Sequence, residues 1–142
     1  MNRESGILMP VASLPSRFGI GGFGKESYHF VDLLEKGGYR LWQILPLNPL
    51  GYGHSPYQPF SSFAIDDLYT DLDDLKRRGF LKEAPSYPGD TSKIHYEEVR
   101  EWMKPYLEEA YQNAKEKEKS NITAFMATYA WAKAWGLFMF YK

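Results

Sequence analysis

The side chains able to do acid–base or metal chemistry are scattered along this sequence rather than gathered. Glycoside cleavage with retention needs two carboxyl groups held about 5 Å apart in a cleft, and no such pair stands out. Asp32 and Glu35 lie one helical turn apart on a surface face, and the later acids sit among lysines, as they do on solvated helices. Asp66, Asp67, Asp71, Asp73 and Asp74 cluster, but they lack the central glycine and terminal glutamate of a calcium loop. His29, His54 and His95 share no ligand spacing, and there is no cysteine. The expectation is no catalytic residue, no metal site and no cofactor in this chain.

Gly19-Ile-Gly21-Gly22-Phe-Gly24 fits the spacing of a dinucleotide-binding turn and raises the possibility of a nucleotide-dependent oxidoreductase. Two features oppose it. Pro15 to Phe18 separates the glycines from the preceding apolar run, and the next run closes on Leu47 and Asn48 rather than on an acid.

The segment Gly51-Tyr-Gly-His-Ser-Pro-Tyr-Gln-Pro-Phe60 is of another kind. Rigid prolines, permissive glycines and hydrogen-bonding side chains alternate within ten residues. Tyr52, Tyr57, Phe60 and Phe63 make it too aromatic for a solvent linker. Aromatic faces suit the C–H faces of a pyranose, and hydroxyl or amide tips suit its edges.

The elements around this segment must place it. Gly6 to Leu14 and Leu41 to Leu47 are continuous apolar runs, the pattern of strands buried on both faces, with Gln43 an unusual polar residue in the second. Between them Phe30, Val31, Leu33 and Leu34 fall at helical spacing, stopped by Gly37 and Gly38. Strand, helix, strand with a crossover of this length is a βαβ unit, which requires a parallel sheet of more than two strands. The 51–60 segment then leaves the C-terminal end of a parallel strand, where barrels and open α/β sheets bind ligands.

Beyond Ala64 the pattern turns helical: a short helix near Leu72 and Leu75, a loop from Ala84 to Gly89, and a long helix whose apolar face runs from Val99 to Ala114. Pro105 is expected to kink or split that helix. A last helix, capped at Ser120 or Asn121, carries Ile122, Phe125, Trp131 and Trp135 and stops at Lys142 on an apolar stretch with no cap, as if cut within a domain.

Composition narrows the partners. Over 142 residues the hydrophobic fraction is 44% and the charged fraction 25%, which is globular, while a net charge of −1 gives no footprint for nucleic acid. No signal peptide and no membrane span are expected, which points to the cytoplasm. Aromatic residues reach 17%, about twice the usual share and suited to sugar binding.

Ser5-Gly-Ile-Leu, Ser13-Leu-Pro-Ser16, Gly19-Ile-Gly21, Leu41-Trp-Gln-Ile-Leu-Pro-Leu47 and Gly51-Tyr-Gly-His-Ser-Pro-Tyr-Gln58, in this order and spacing, resemble the opening of 4-α-glucanotransferases of the amylomaltase, or disproportionating enzyme, family. The resemblance is close from Ser5 to about Asp74 and looser beyond. It implies an α/β fold: residues 1–70 as the first two units of a (β/α)8 TIM barrel with the sugar-binding loop, and residues 71–142 as a helical insertion truncated at its C-terminal end. It further implies transfer of α-1,4-glucan segments by a retaining double displacement. The Asp nucleophile, Glu acid/base and second Asp would lie beyond Lys142, so the chain alone would be inactive.

By the same resemblance Ser55 and Tyr57 contact the donor sugar with Gln58 beside them, Tyr52 belongs to a second glucan site outside the cleft, and Trp42 and Gln43 face the barrel interior. The partner implied is an α-1,4-glucan or maltooligosaccharide, and bare sheet edges predict self-association of the fragment. Three positions depart from the family pattern: His54 replaces an Asp, Phe63-Ala-Ile-Asp-Asp67 replaces Phe-Ala-Gly-Asn-Pro, and Pro10 replaces a frequent histidine. A non-enzymatic carbohydrate-binding or interaction module is the competing reading.

Overall fold

A computed structural model describes residues 3–142, the side chain of Tyr52 excepted. Strand β1 covers Gly6–Leu8 and β2 covers Leu41–Gln43, paired in parallel with Gly6 opposite Leu41 and Leu8 opposite Gln43. Helix α1, Lys25–Lys36, makes the crossover and ends at Gly37, with Gly38 in the left-handed region at φ 74°. The expected βαβ unit is present.

Both strands are shorter than their apolar runs. After Leu8 the chain reaches Pro10, which has no N–H to extend a ladder, and turns into a 3-10 helix over Val11–Ser13. The second run continues past Gln43 outside any strand, with no further sheet partner among the described residues. Nor are the strands covered on both faces, since Leu8 is 55% and Leu41 50% exposed. Trp42 points the other way from its expected place in a barrel interior. Its ring packs edge-on against Phe30 of α1 at 5.0 Å and its indole N–H donates to the Met9 carbonyl at 2.8 Å. Alternation along the strand puts Leu41 and Gln43 on the opposite, open face.

The core lies away from the strands. Ala12, Phe18 and Ile20 pack with Leu68, Leu72, Phe80, Leu81 and Tyr87 against Val99, Met103 and Ala110, so it draws from both sides of residue 70. The glycines that fit a nucleotide turn serve this packing. A Cβ on Gly21 would run into the Val11 carbonyl oxygen, and Gly21 N donates to Ala12 O at 2.9 Å.

Helix α2, Leu72–Arg77, opens on Asp71, whose carboxylate accepts from Asp74 N at 2.8 Å. This cap is expected to be worth about 1 kcal/mol. Asp71→Ala should lower the urea midpoint accordingly, and an unchanged midpoint would show the cap to be idle.

Helix α3, Tyr96–Ala114, runs unbroken through Pro105, contrary to a split. Pro105 itself is exposed, while Val99, Met103 and Ala110 are buried on the opposite side and hold the helix to the core across the missing hydrogen bond. The single last helix expected from the sequence is two: α4, Lys119–Thr128, and α5, Ala130–Tyr141, broken at Tyr129 with φ −114° and ψ 87°. Neither Ser120 nor Asn121 caps α4; Asn121 instead donates to Glu118, the residue at the cap, at 2.6 Å. No helix among the described residues is long and apolar enough to cross a membrane.

Candidate functional site

Two layers of hydrogen bonds build the segment after β2. At its base Asp66 N donates to Leu47 O at 2.8 Å and the Asn48 amide to Ala64 O at 2.9 Å. Above that, Phe60 N donates to Pro49 O at 3.3 Å and closes the loop. Within it Gln58 N donates to Ser55 O and Tyr57 N to the Ser55 hydroxyl, each at 3.3 Å, so Ser55 organises the turn through Pro56. Gly51 lies so close to the Gln58 carbonyl that a Cβ there would overlap it.

Ser55 is half-buried, whereas Tyr57, 69% exposed, and Gln58 face solvent. The structure therefore brings Ser55, Tyr57 and Gln58 together on one turn, with Tyr57 and Gln58 exposed and Ser55 half-buried beneath them. A serine hydroxyl that accepts one bond can still donate its proton, a Tyr hydroxyl can do both, and an amide offers both functions. Tyr52 belongs to the 3-10 turn Tyr52–His54, and its side chain lies outside the described residues.

His54 takes a left-handed conformation at φ 56°, directly after Gly53 at φ 68°. That costs backbone energy for a residue with a Cβ. Its imidazole stacks on Tyr96 of α3 at 5.1 Å and 17°, with Nε2 3.8 Å from a Glu97 carboxylate oxygen. These contacts hold the strained turn against the helix. Helix α5 flanks the same loop: Phe63 stacks on Trp131 at 5.9 Å, and Phe60 meets Phe138 at 6.1 Å and the Lys142 ammonium at 3.7 Å. A cavity of about 400 Å³ opens between loop, α3 and α5, lined among others by Leu50, His54, Phe60, Tyr96, Arg100 and Trp135. Burial, and then the negative charge of Asp66, raises the Tyr96 hydroxyl above its ordinary pKa. Burial also pushes Tyr69 up, to about 12, so both phenols stay neutral donors.

No group of three or more metal-ligating side chains gathers among the described residues. What the loop, α3 and α5 bring together is a set of hydrogen-bonding and aromatic side chains around one cavity.

A family profile described as 4-alpha-glucanotransferase matches residues 9–142. The chain belongs to the 4-alpha-glucanotransferase family. A 4-alpha-glucanotransferase of Thermus thermophilus is 39% identical over 99% of this chain, and one of Streptococcus pneumoniae is 44% identical over 76% of it. The structure of the amylomaltase of Streptococcus agalactiae in complex with acarbose overlays 97% of the chain with a TM-score of 0.89 at 36% identity. The chain spans 29% of the Thermus relative and 29% of the Streptococcus agalactiae chain.

Within this glucanotransferase fold the sequence pointed to the loop but missed what lies against it. Tyr96 and Arg100 are more than thirty residues downstream on α3, and a short-range pattern carries no trace of such pairing. The one available signal was His54, a bulky residue where glycines and prolines ask for a tight turn.

Proposed function

We propose that this chain supplies the donor-sugar side of the cleft of a 4-alpha-glucanotransferase, which moves α-1,4-glucan segments to another glucan or to glucose. The observation that carries the reading is the closed loop at the C-terminal end of a parallel strand. It carries Ser55, Tyr57 and Gln58 on one turn with Tyr57 and Gln58 exposed, in a chain overlaying an amylomaltase over 97% of its length. That amylomaltase was solved with acarbose, which favours an oligosaccharide as the ligand here.

In a retaining double displacement a carboxylate attacks the anomeric carbon while a carboxylic acid protonates the departing oxygen. The acceptor hydroxyl then attacks the glycosyl-enzyme and returns its proton. We assign the Asp nucleophile, the Glu acid/base and the stabilising Asp to polypeptide beyond Lys142, and binding to this chain. Ser55, Tyr57 and Gln58 hold the donor sugar near the scissile bond, and Tyr52 contributes to a glucan site outside the cleft.

On the same reading β1 and β2 are the first two strands of a (β/α)8 barrel, residues 1–70 its first two units, and residues 71–142 a helical insertion. The 55% exposure of Leu8 and 50% of Leu41 supports this, because a barrel interior would cover that face. Open sheet edges also favour self-association of the isolated chain.

The test uses the chain alone and a chimaera in which it replaces the matching 29% of the Thermus thermophilus enzyme. The chimaera should convert maltotriose to glucose and longer glucans, and the chain alone should not. A chimaera that melts cooperatively yet transfers nothing overturns the functional reading, and turnover by the chain alone overturns the division of labour.

A further inference from the structure

Among the described residues the buried polar side chains are Ser27 and Asp66, and Asp66 carries the charge, 3% exposed. A carboxylate so placed is tolerated only when paired and hydrogen-bonded. Three donors make four hydrogen bonds to it. Arg100 Nη2 lies 2.9 and 2.8 Å from its two oxygens, Leu68 N donates to Oδ1 at 3.1 Å and Leu50 N to Oδ2 at 3.3 Å. The other guanidinium nitrogen, Nη1, takes Asp67 Oδ1 at 2.6 Å, so one planar fork spans two consecutive carboxylates. Burial would lower the Arg100 pKa, but hydrogen bonding and attraction to Asp66, then Asp67, outweigh it and keep the guanidinium charged.

These bonds join three separate pieces of chain: the exit of β2 at Leu50, the 3-10 turn Asp67–Tyr69, and helix α3. Leu50 immediately precedes Gly51, where the loop seals against Gln58. A shift at Leu50 therefore passes straight to the turn that carries Ser55, Tyr57 and Gln58. We infer that Arg100 is a positioning residue, which through Asp66 clamps the sugar-contacting loop onto α3 and sets where that turn meets the glucan. Its effect on the sugar rests on the glucanotransferase reading; its effect on the loop does not.

Removing the guanidinium strands a buried carboxylate, which must take up a proton, admit water or turn outward, and each response loosens Leu50. Arg100→Lys keeps the charge but cannot fork across both acids. Asp66→Asn added to Arg100→Met removes the stranded charge and leaves an amide oxygen for Leu50 and Leu68.

Two measurements test this. In the chain itself, Arg100→Met should speed amide hydrogen exchange at Leu50 and Leu68 by roughly tenfold or more while α1 amides keep their rates. In the active chimaera the same change should lower kcat/KM for maltotriose roughly tenfold, chiefly through KM. Arg100→Lys should recover part of the loss and the Asp66→Asn/Arg100→Met pair most of it. A residue that merely stabilised the fold would lower the melting temperature with KM unmoved, and that result overturns the inference. Unchanged exchange at Leu50 overturns it as well, with or without turnover. A parent chimaera that is inactive removes the glucanotransferase reading instead, and the exchange rates still decide whether the clamp exists.

Discussion

Gly51→Ala should cost the chimaera about a hundredfold in kcat/KM while leaving the melting of the chain nearly untouched. Gly51 has φ −88°, which any residue adopts, so conformational freedom is not what the position needs. It needs room. A methyl group would overlap the Gln58 carbonyl oxygen, a backbone atom that cannot swing aside as the end of a side chain could. The loop must open between Gly51 and Gln58, displacing Tyr57 and Ser55 by a distance of the order of 1 Å. A misplacement of that size at a reacting centre is worth roughly two decades in rate. The buried cluster contains no residue between Ile20 and Leu68, so the interior does not register the change. Kinetics on maltotriose combined with a thermal melt separate the two effects. Full activity in the alanine variant would mean that the turn tolerates displacement and does not hold the sugar.

The second large effect is on stability. Leu72 is 0% exposed at the start of α2, among the largest fully buried side chains together with Met103, Val11 and Val99. Leu72→Ala is expected to cost about 2–5 kcal/mol, the lost transfer energy plus the cavity left between α2, α3 and the segment from Ala12 to Ile20. Single domains are held by only about 5–15 kcal/mol, so the variant should melt some ten degrees lower or more. Urea unfolding followed by tryptophan emission is a suitable readout, because Trp102 stacks on Phe18 at 6.4 Å and meets Tyr87 edge-on at 5.4 Å at the border of this cluster. The control is Leu33→Ala on α1, where a 50% exposed side chain should change stability by no more than about 0.5 kcal/mol. Equal losses at the two positions would contradict the placement of the core.

The sequence was most informative where structure is local. Helical spacing located α1 and α3, the two glycines located the end of α1, and the order of apolar runs gave the parallel pair. Strand ends failed because hydrophobicity alone does not build a ladder. Pro10 stops β1 for want of an N–H, and β2 stops where no paired neighbour lies beside it. Trp42 was misplaced because the resemblance assigned it and Gln43 to one interior, whereas adjacent strand residues point to opposite faces and Trp42 takes the one that meets α1. Pro105 does not split α3 because packing on the buried side outweighs one missing hydrogen bond, and the Tyr129 break was missed because nothing in Ala-Thr-Tyr-Ala-Trp marks a turn. At the loop, the prolines and glycines disclosed a tightly turned segment, and the structure closes it between Pro49 and Phe60. The buried Asp66 and its Arg100 partner, separated by 34 positions, were visible only once folded.

The placement of the apolar interior also says how early during synthesis on the ribosome this cluster can pack. The last member of the buried cluster is Ala110, and none comes from α4 or α5. Once α3 has left the exit tunnel the nascent chain holds every side chain of this buried cluster, and α4 and α5 arrive afterwards onto a surface already made.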